Sequence, residues 1–182
     1  MTMTLIETKT LGTAAASIEF TSIPGTYTDL LVLASHRQTQ TFGDVNGYPT
    51  FTLNNSTSNY SFRWLQGSGS AAASSSSTYG GFYFFGNNDY MTANTFSNTS
   101  IYIPNYAGST NKSVSFDTVQ ETNATTSYQQ IMAGLWSDTA AITSLKLTAR
   151  DSGLGTSPSF VVGTTISLYG ILKGTDGTTV VS

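Results

Sequence analysis

The 182-residue chain has no cysteine, a single histidine (His36), four prolines, and only seven basic and ten acidic side chains. Without thiols it can form no disulfide, no thiolate metal site and no cysteine nucleophile. Charged residues are 9% of the chain, against roughly 25% in an average soluble protein. Solubility therefore falls to hydroxyls and amides, and 31 Thr and 25 Ser are present. Lys9, Arg37, Arg63, Lys112, Lys146, Arg150 and Lys173 never lie adjacent, and the net charge is −3. The basic stripe that neutralises phosphates is missing, so no nucleic-acid partner is expected. Long apolar runs are missing too. Leu30 to Ala34 is the longest, far short of the ~20 residues that cross a bilayer. The opening Met1-Thr2-Met3-Thr4-Leu5-Ile6-Glu7 has neither the basic start nor the apolar stretch of a signal peptide. Neither a membrane partner nor export by that route is expected.

Apolar residues make up 38% of the chain and aromatics 12%, enough to outweigh the ordering cost that leaves charge-rich, apolar-poor chains unfolded. The length suits one domain spanning residues 1–182. Glu occurs three times and Lys four, whereas Thr, Val and Ile supply 48 residues, a balance that favours strands over helices. Alternation predicts strands at Leu5–Thr10, Ser17–Ser22, Tyr27–Arg37, Pro49–Asn54, Tyr60–Gln66, Gly81–Phe85, Thr99–Ile103, Lys112–Gln120, Tyr128–Leu135, Ile142–Thr148 and Thr164–Leu172. Turn signals separate them, among them Pro24-Gly25, Asn46-Gly47, Asn54-Asn55, Asn87-Asn88-Asp89, Gly108-Ser109 and Asp176-Gly177. The expected fold is all-β, an antiparallel, jelly-roll-like β-sandwich. Leu30-Leu31-Val32-Leu33 reads as a strand buried on both faces, and Ile166, Leu168 and Gly170 share one face of a strand that closes a sheet. The Gly/Ser/Ala segment from Gly67 to Ser77 reads as a long internal loop.

The chemical scan is largely negative. His36 has no Gly-x-Ser-x-Gly elbow to work with, and a structural or surface role suits it better than a triad. Asp117 and Glu121 are four apart, about 13 Å on an extended strand, beyond the ~5–9.5 Å that glycosidase carboxylates use. Asp44-x-Asn46-Gly47 and Asn87-Asn88-Asp89 lack the continuation of a calcium loop. Gly80-Gly81 and Gly153-Leu154-Gly155 are followed by no Lys-Ser/Thr. No catalytic residue, metal or cofactor is assigned, and an enzyme is not expected.

The aromatic run Phe82-Tyr83-Phe84-Phe85, flanked by Tyr79 and Tyr90, carries the most functional content. Alternation sends Phe82 and Phe84 to one face, Tyr83 and Phe85 to the other. With the first pair in the core, the second is either covered by another layer or available for contact. Aromatics rimmed by Asn and Thr make sugar-binding and protein-binding surfaces, because a ring offers large area at small entropy cost. Tyr79, Tyr83, Phe85 and Tyr90 are therefore the candidate binding residues, while Trp64 and Trp136 are assigned to the core.

Five segments resemble a group of small virion structural proteins of tailed bacteriophages. They are Leu5-Ile6-Glu7-Thr8-Lys9-Thr10-Leu11, Ile18-Glu19-Phe20-Thr21-Ser22-Ile23-Pro24 with Tyr27-Thr28-Asp29-Leu30, Asn59-Tyr60-Ser61-Phe62-Arg63, Ile103-Pro104-Asn105-Tyr106, and Ile166-Ser167-Leu168-Tyr169-Gly170-Ile171. The resemblance runs over nearly the whole chain through framework motifs. It implies a capsid- or tail-associated particle component, made in the host cytoplasm and carried on the outer surface of the virion. Small size, low charge and the lack of a repetitive shaft suit a capsid decoration or cement protein, a homo-oligomer (a trimer) partnered by the major capsid protein. The alternative is a tail-associated module that binds host glycan through Tyr79, Tyr83 and Tyr90.

Overall fold

The structure, a computed structural model, describes residues 2–39, 47–120, 127–150 and 157–172. The pairs Asp44/Asn46, Asp176-Gly177 and Gly153-Leu154-Gly155, together with Glu121 and Lys173, lie outside the described residues. Twelve strands are formed among the described residues: β1 (Thr2–Thr10), β2 (Ser17–Phe20), β3 (Asp29–His36), β4 (Thr50–Leu53), β5 (Tyr60–Gly67), β6 (Ala72–Ser77), β7 (Phe82–Tyr83), β8 (Ser97–Pro104), β9 (Lys112–Gln120), β10 (Tyr128–Trp136), β11 (Leu145–Thr148) and β12 (Thr165–Leu172). They build an eight-stranded sheet in the order β1-β12-β3-β8-β9-β10-β5-β6 and a four-stranded sheet in the order β2-β11-β4-β7, antiparallel throughout. The result is an antiparallel β-sandwich, and the chain passes repeatedly from one sheet to the other, as in a jelly roll.

All eleven strands expected from alternation are present, within a few residues of their expected ends. The twelfth, β6, falls in the segment expected to be a loop. Ser68 to Ala71 make a tight turn, with Gly69 at φ +82°, and Ala72–Ser77 then pair along β5 at the edge of the sheet. Alternation is invisible in a run of Ala and Ser, yet their backbone groups complete the ladder all the same.

Register arranges the inner face of the large sheet in transverse rows. Val32, Ile101, Phe116, Met132 and Trp64 stand side by side across β3, β8, β9, β10 and β5. The small sheet lays Ile18, Leu147, Phe51 and Phe82 over this surface, and one hydrophobic cluster spans both layers. Burial follows period two on nearly every strand, for instance Lys112, Val114, Phe116, Thr118 and Gln120 on β9. β3 is central, as expected, but open on its outer face: Leu31 is half-buried and Leu33 is 38% exposed, because no third layer among the described residues covers that side. Gly170 does share the buried face with Ile166 and Leu168. β12 nevertheless closes nothing, since β1 pairs along its other side.

Two glycines are sites of close approach. A Cβ on Gly134 of β10 would lie 2.5 Å from the Phe82 ring, and one on Gly170 would lie 2.3 Å from the Tyr27 ring. Towards one end the core turns polar. His36 bonds Thr99 (Nε2 to Oγ1, 2.9 Å), Thr118 donates to the same hydroxyl (3.1 Å), Gln120 donates to the Gly86 carbonyl (2.8 Å), and Gln130 accepts the Phe85 N–H (3.1 Å). His36 is wholly buried between Phe84 and Phe160, in the core and not at the surface. Its Nδ1 meets no acceptor among the described residues, and burial lowers its pKa from 6.5 to about 4.

Two predictions follow from this packing. Gly134→Ala forces the Phe82 ring to move and is expected to cost about 1–3 kcal/mol, seen as a lower urea midpoint; an unchanged midpoint would show that the contact is loose. For His36 the unfolded chain binds the proton more readily than the folded one, so its contribution is complete above pH 6.5 and is lost as pH falls towards 4. Between pH 7 and 4.5 about 2–3 kcal/mol should disappear, and His36→Leu should flatten that slope in urea titrations at the two pH values.

Candidate functional site

β7 pairs with β4 through only Thr50–Tyr83 and Phe51–Phe82. Side chains rather than a ladder hold it. Gly81 lies so close to Thr50 and Thr52 that a Cβ would come within 2.6 Å and 2.9 Å of their methyls. From this anchor Phe82 points inward, ringed by Tyr60, Phe62 and Phe116 at 4.9, 5.8 and 5.3 Å between centroids. Phe84 also points inward and is fully buried. Tyr83 points the other way, as alternation predicts.

Outward of β7 a cleft of about 360 Å³ opens, lined by Tyr48, Trp64, Ser77, Tyr79, Tyr83, Phe85 and Arg150. Tyr83 is its hub: the rings of Phe62, Trp64, Tyr79 and Tyr48 lie 5.0, 5.7, 5.9 and 6.0 Å from it, mostly edge to face. The guanidinium of Arg150 sits 4.3 Å from the centre of the Tyr79 ring and 5.5 Å from that of Tyr83, and its Nε donates to the Tyr79 hydroxyl at 3.2 Å. The Arg150 backbone is fixed from behind, its carbonyl accepting from Gln38 Nε2 at 2.7 Å.

Three of the four candidate binding residues thus come together, in unequal roles. Tyr79 is 44% exposed and Tyr83 half-buried. Phe85 is 6% exposed, packed between Tyr48 and Tyr128 at 5.7 and 5.0 Å, so it forms the floor and offers little contact surface. Tyr90 does not join them. It is 51% exposed outside the cleft, in a turn where its N–H bonds the Asn88 side chain.

Trp136 is buried as expected, at 1% exposure. Trp64, assigned to the core, is instead half-buried and walls the cleft. It shares the inward face of β5 with Phe62, but the short β7 leaves it without a full cover. Tyr48 and Arg150 went unrecognised because no local pattern marks them; one follows β3 in the chain by a dozen residues and the other lies just past β11.

Among the described residues no carboxylate lines the cleft, and they contain no cluster of three or more His, Asp or Glu suited to a metal. Asp117 is exposed on β9. Asn87 and Asn88 are buried and bonded within their turn, Asn87 to Ser97 and Thr95. The described side chains of the cleft can stack against a ligand and orient it. A larger groove of about 840 Å³ runs along the outer face of β5, where Arg63, Leu65, Ile131 and Ala133 meet the serines of β6. Its walls are mainly apolar and hydroxyl, with Arg63 the one charged group among the described lining residues.

No protein-family model, curated protein or solved structure matches the chain.

The unequal burial makes a test of the layout. Tyr79→Ala should cost under about 1 kcal/mol, chiefly its cation–π contact with Arg150, whereas Phe85→Ala should cost about 3–5 kcal/mol by opening a cavity beneath the cleft. Equal losses in thermal unfolding would mean that the floor and the rim are not distinct.

Proposed function

We propose that this chain is a structural protein of a tailed-bacteriophage particle that works by contact, and that its aromatic cleft grips a saccharide of the host surface. The observation that carries the reading is the convergence of Tyr48, Trp64, Tyr79 and Tyr83 on one cleft above a rigid sandwich. Ring faces bury the C–H faces of sugars, and Tyr and Trp have few rotors to immobilise. The particle context comes from the resemblance of the framework segments to virion proteins, and the outer surface of the virion is where such a cleft would meet its ligand.

A second reading, a capsid decoration protein seated on the major capsid protein as a trimer, is favoured by the uncovered face of the eight-stranded sheet. Leu33, Leu65, Ile131 and Leu135 are 38, 57, 49 and 37% exposed there; Leu65 and Ile131 pair across β5 and β10 as apolar surface of the kind that partners cover, while Ser100 and Asp117 separate them from Leu33. Low charge would let copies pack closely.

Copy number separates the two. Around a dozen copies per particle, counted by quantitative mass spectrometry and located by electron microscopy, are expected for the host-binding reading; hundreds on the head would transfer the proposal to decoration. Within the first reading, particles carrying Tyr79→Ala together with Trp64→Ala should assemble normally and adsorb to host cells about tenfold or more slowly, as for loss of a binding hot spot. Undiminished adsorption would refute the role of the cleft.

A further inference from the structure

We infer that the saccharide taken by the aromatic cleft is an acidic one, bearing a carboxylate that is read by Arg150; this rests on the saccharide-binding reading above. Among the described residues lining the cleft, Arg150 is the one charged group. It makes no ion pair with a described residue, in a chain with few cations and a net charge of −3. An arginine spent on framework would be expected to bond carbonyls, as Arg37 does: its Nη groups donate to the carbonyls of Met91, Thr92 and Thr95. Arg150 differs. Its Nε is used on the Tyr79 hydroxyl and its plane rests against the Tyr79 and Tyr83 rings, while the Nη donors have no described acceptor.

Stacking fixes the orientation of the fork before a ligand arrives, which reduces the entropy lost on binding. A planar fork whose Nη groups donate to no described residue matches a carboxylate in bidentate fashion. Half-burial of Arg150 beside aromatic walls weakens the screening that would dilute such a pair in open water. Neutral sugars would gain only the stacking surfaces of Trp64, Tyr79 and Tyr83. An acidic sugar gains those and the fork.

The test uses the full chain and a saccharide panel in which each uronic-acid oligosaccharide is paired with its own methyl ester, a change that removes the charge and keeps the ring. Binding of the acid is expected to exceed that of its ester by about tenfold and to weaken with added salt. Arg150→Met should erase this preference, so that acid and ester bind alike, and a thermal unfolding midpoint close to the parent's certifies that the variant is folded; its backbone bonds to Gln38 do not involve the side chain. Arg150→Lys should recover part of the preference, since it restores charge without the fork. Equal affinity for acid and ester, or a preference that survives Arg150→Met, overturns the inference and leaves saccharide binding standing if Trp64→Ala still abolishes it. Failure of every saccharide to bind overturns both.

Discussion

Phe82 seated against Gly134 is the contact on which the functional end of this sandwich depends. A four-stranded sheet can cover only part of an eight-stranded one, and β7, two residues long, is its last strand on the β5 side. Backbone pairing alone would hold so short a strand weakly. The Phe82 ring supplies what the ladder lacks, filling the space left by an absent side chain on β10 and gathering Tyr60, Phe62 and Phe116 around itself. Full burial of a phenylalanine is worth roughly 1.5–3 kcal/mol, comparable to several ladder hydrogen bonds at their net value.

Because Phe82 is pinned inward, period two leaves Tyr83 no choice but to face out. Its ring becomes the point against which Trp64, Tyr79 and Tyr48 lean, and on which part of the Arg150 guanidinium rests. The cleft therefore inherits its rigidity from the core beneath it, and a rigid site loses little on binding. Where the covering sheet ends, Trp64 is left half-covered, and the same shortfall that limits the core creates the recess.

Beside the cleft the core meets a different constraint. There the inner face carries Thr99, Thr118, Gln120, Gln130 and His36, bonded to one another and to the Gly86–Phe85 backbone, while His36 Nδ1, Gln120 Oε1 and Gln130 Nε2 meet no described partner. Such bonds demand defined geometry where apolar packing would accept several, so the polar layer helps to fix the register of the sheets. Arg37 performs a related task outside it by tying the Met91–Thr95 turn to the end of β3.

Alternation and turn chemistry determined the strands from sequence alone, because side chains on a half-buried strand must report which face meets the core. They failed for β6, where Ala and Ser give both faces the same appearance, and for the outer face of β3, where Leu31 and Leu33 stay apolar without a covering layer. The aromatic run likewise announced its inward and outward sides. Which outward rings would meet was decided only by tertiary structure: Tyr48, Trp64, Tyr79, Tyr83 and Arg150 are spread over about a hundred positions and converge through strand pairing and sheet packing, whereas Tyr90, seven residues from Tyr83, stays apart. Period two fixes the direction of a side chain within its strand, but the distance between side chains on different strands is set by the order and stacking of the sheets, which no local pattern records.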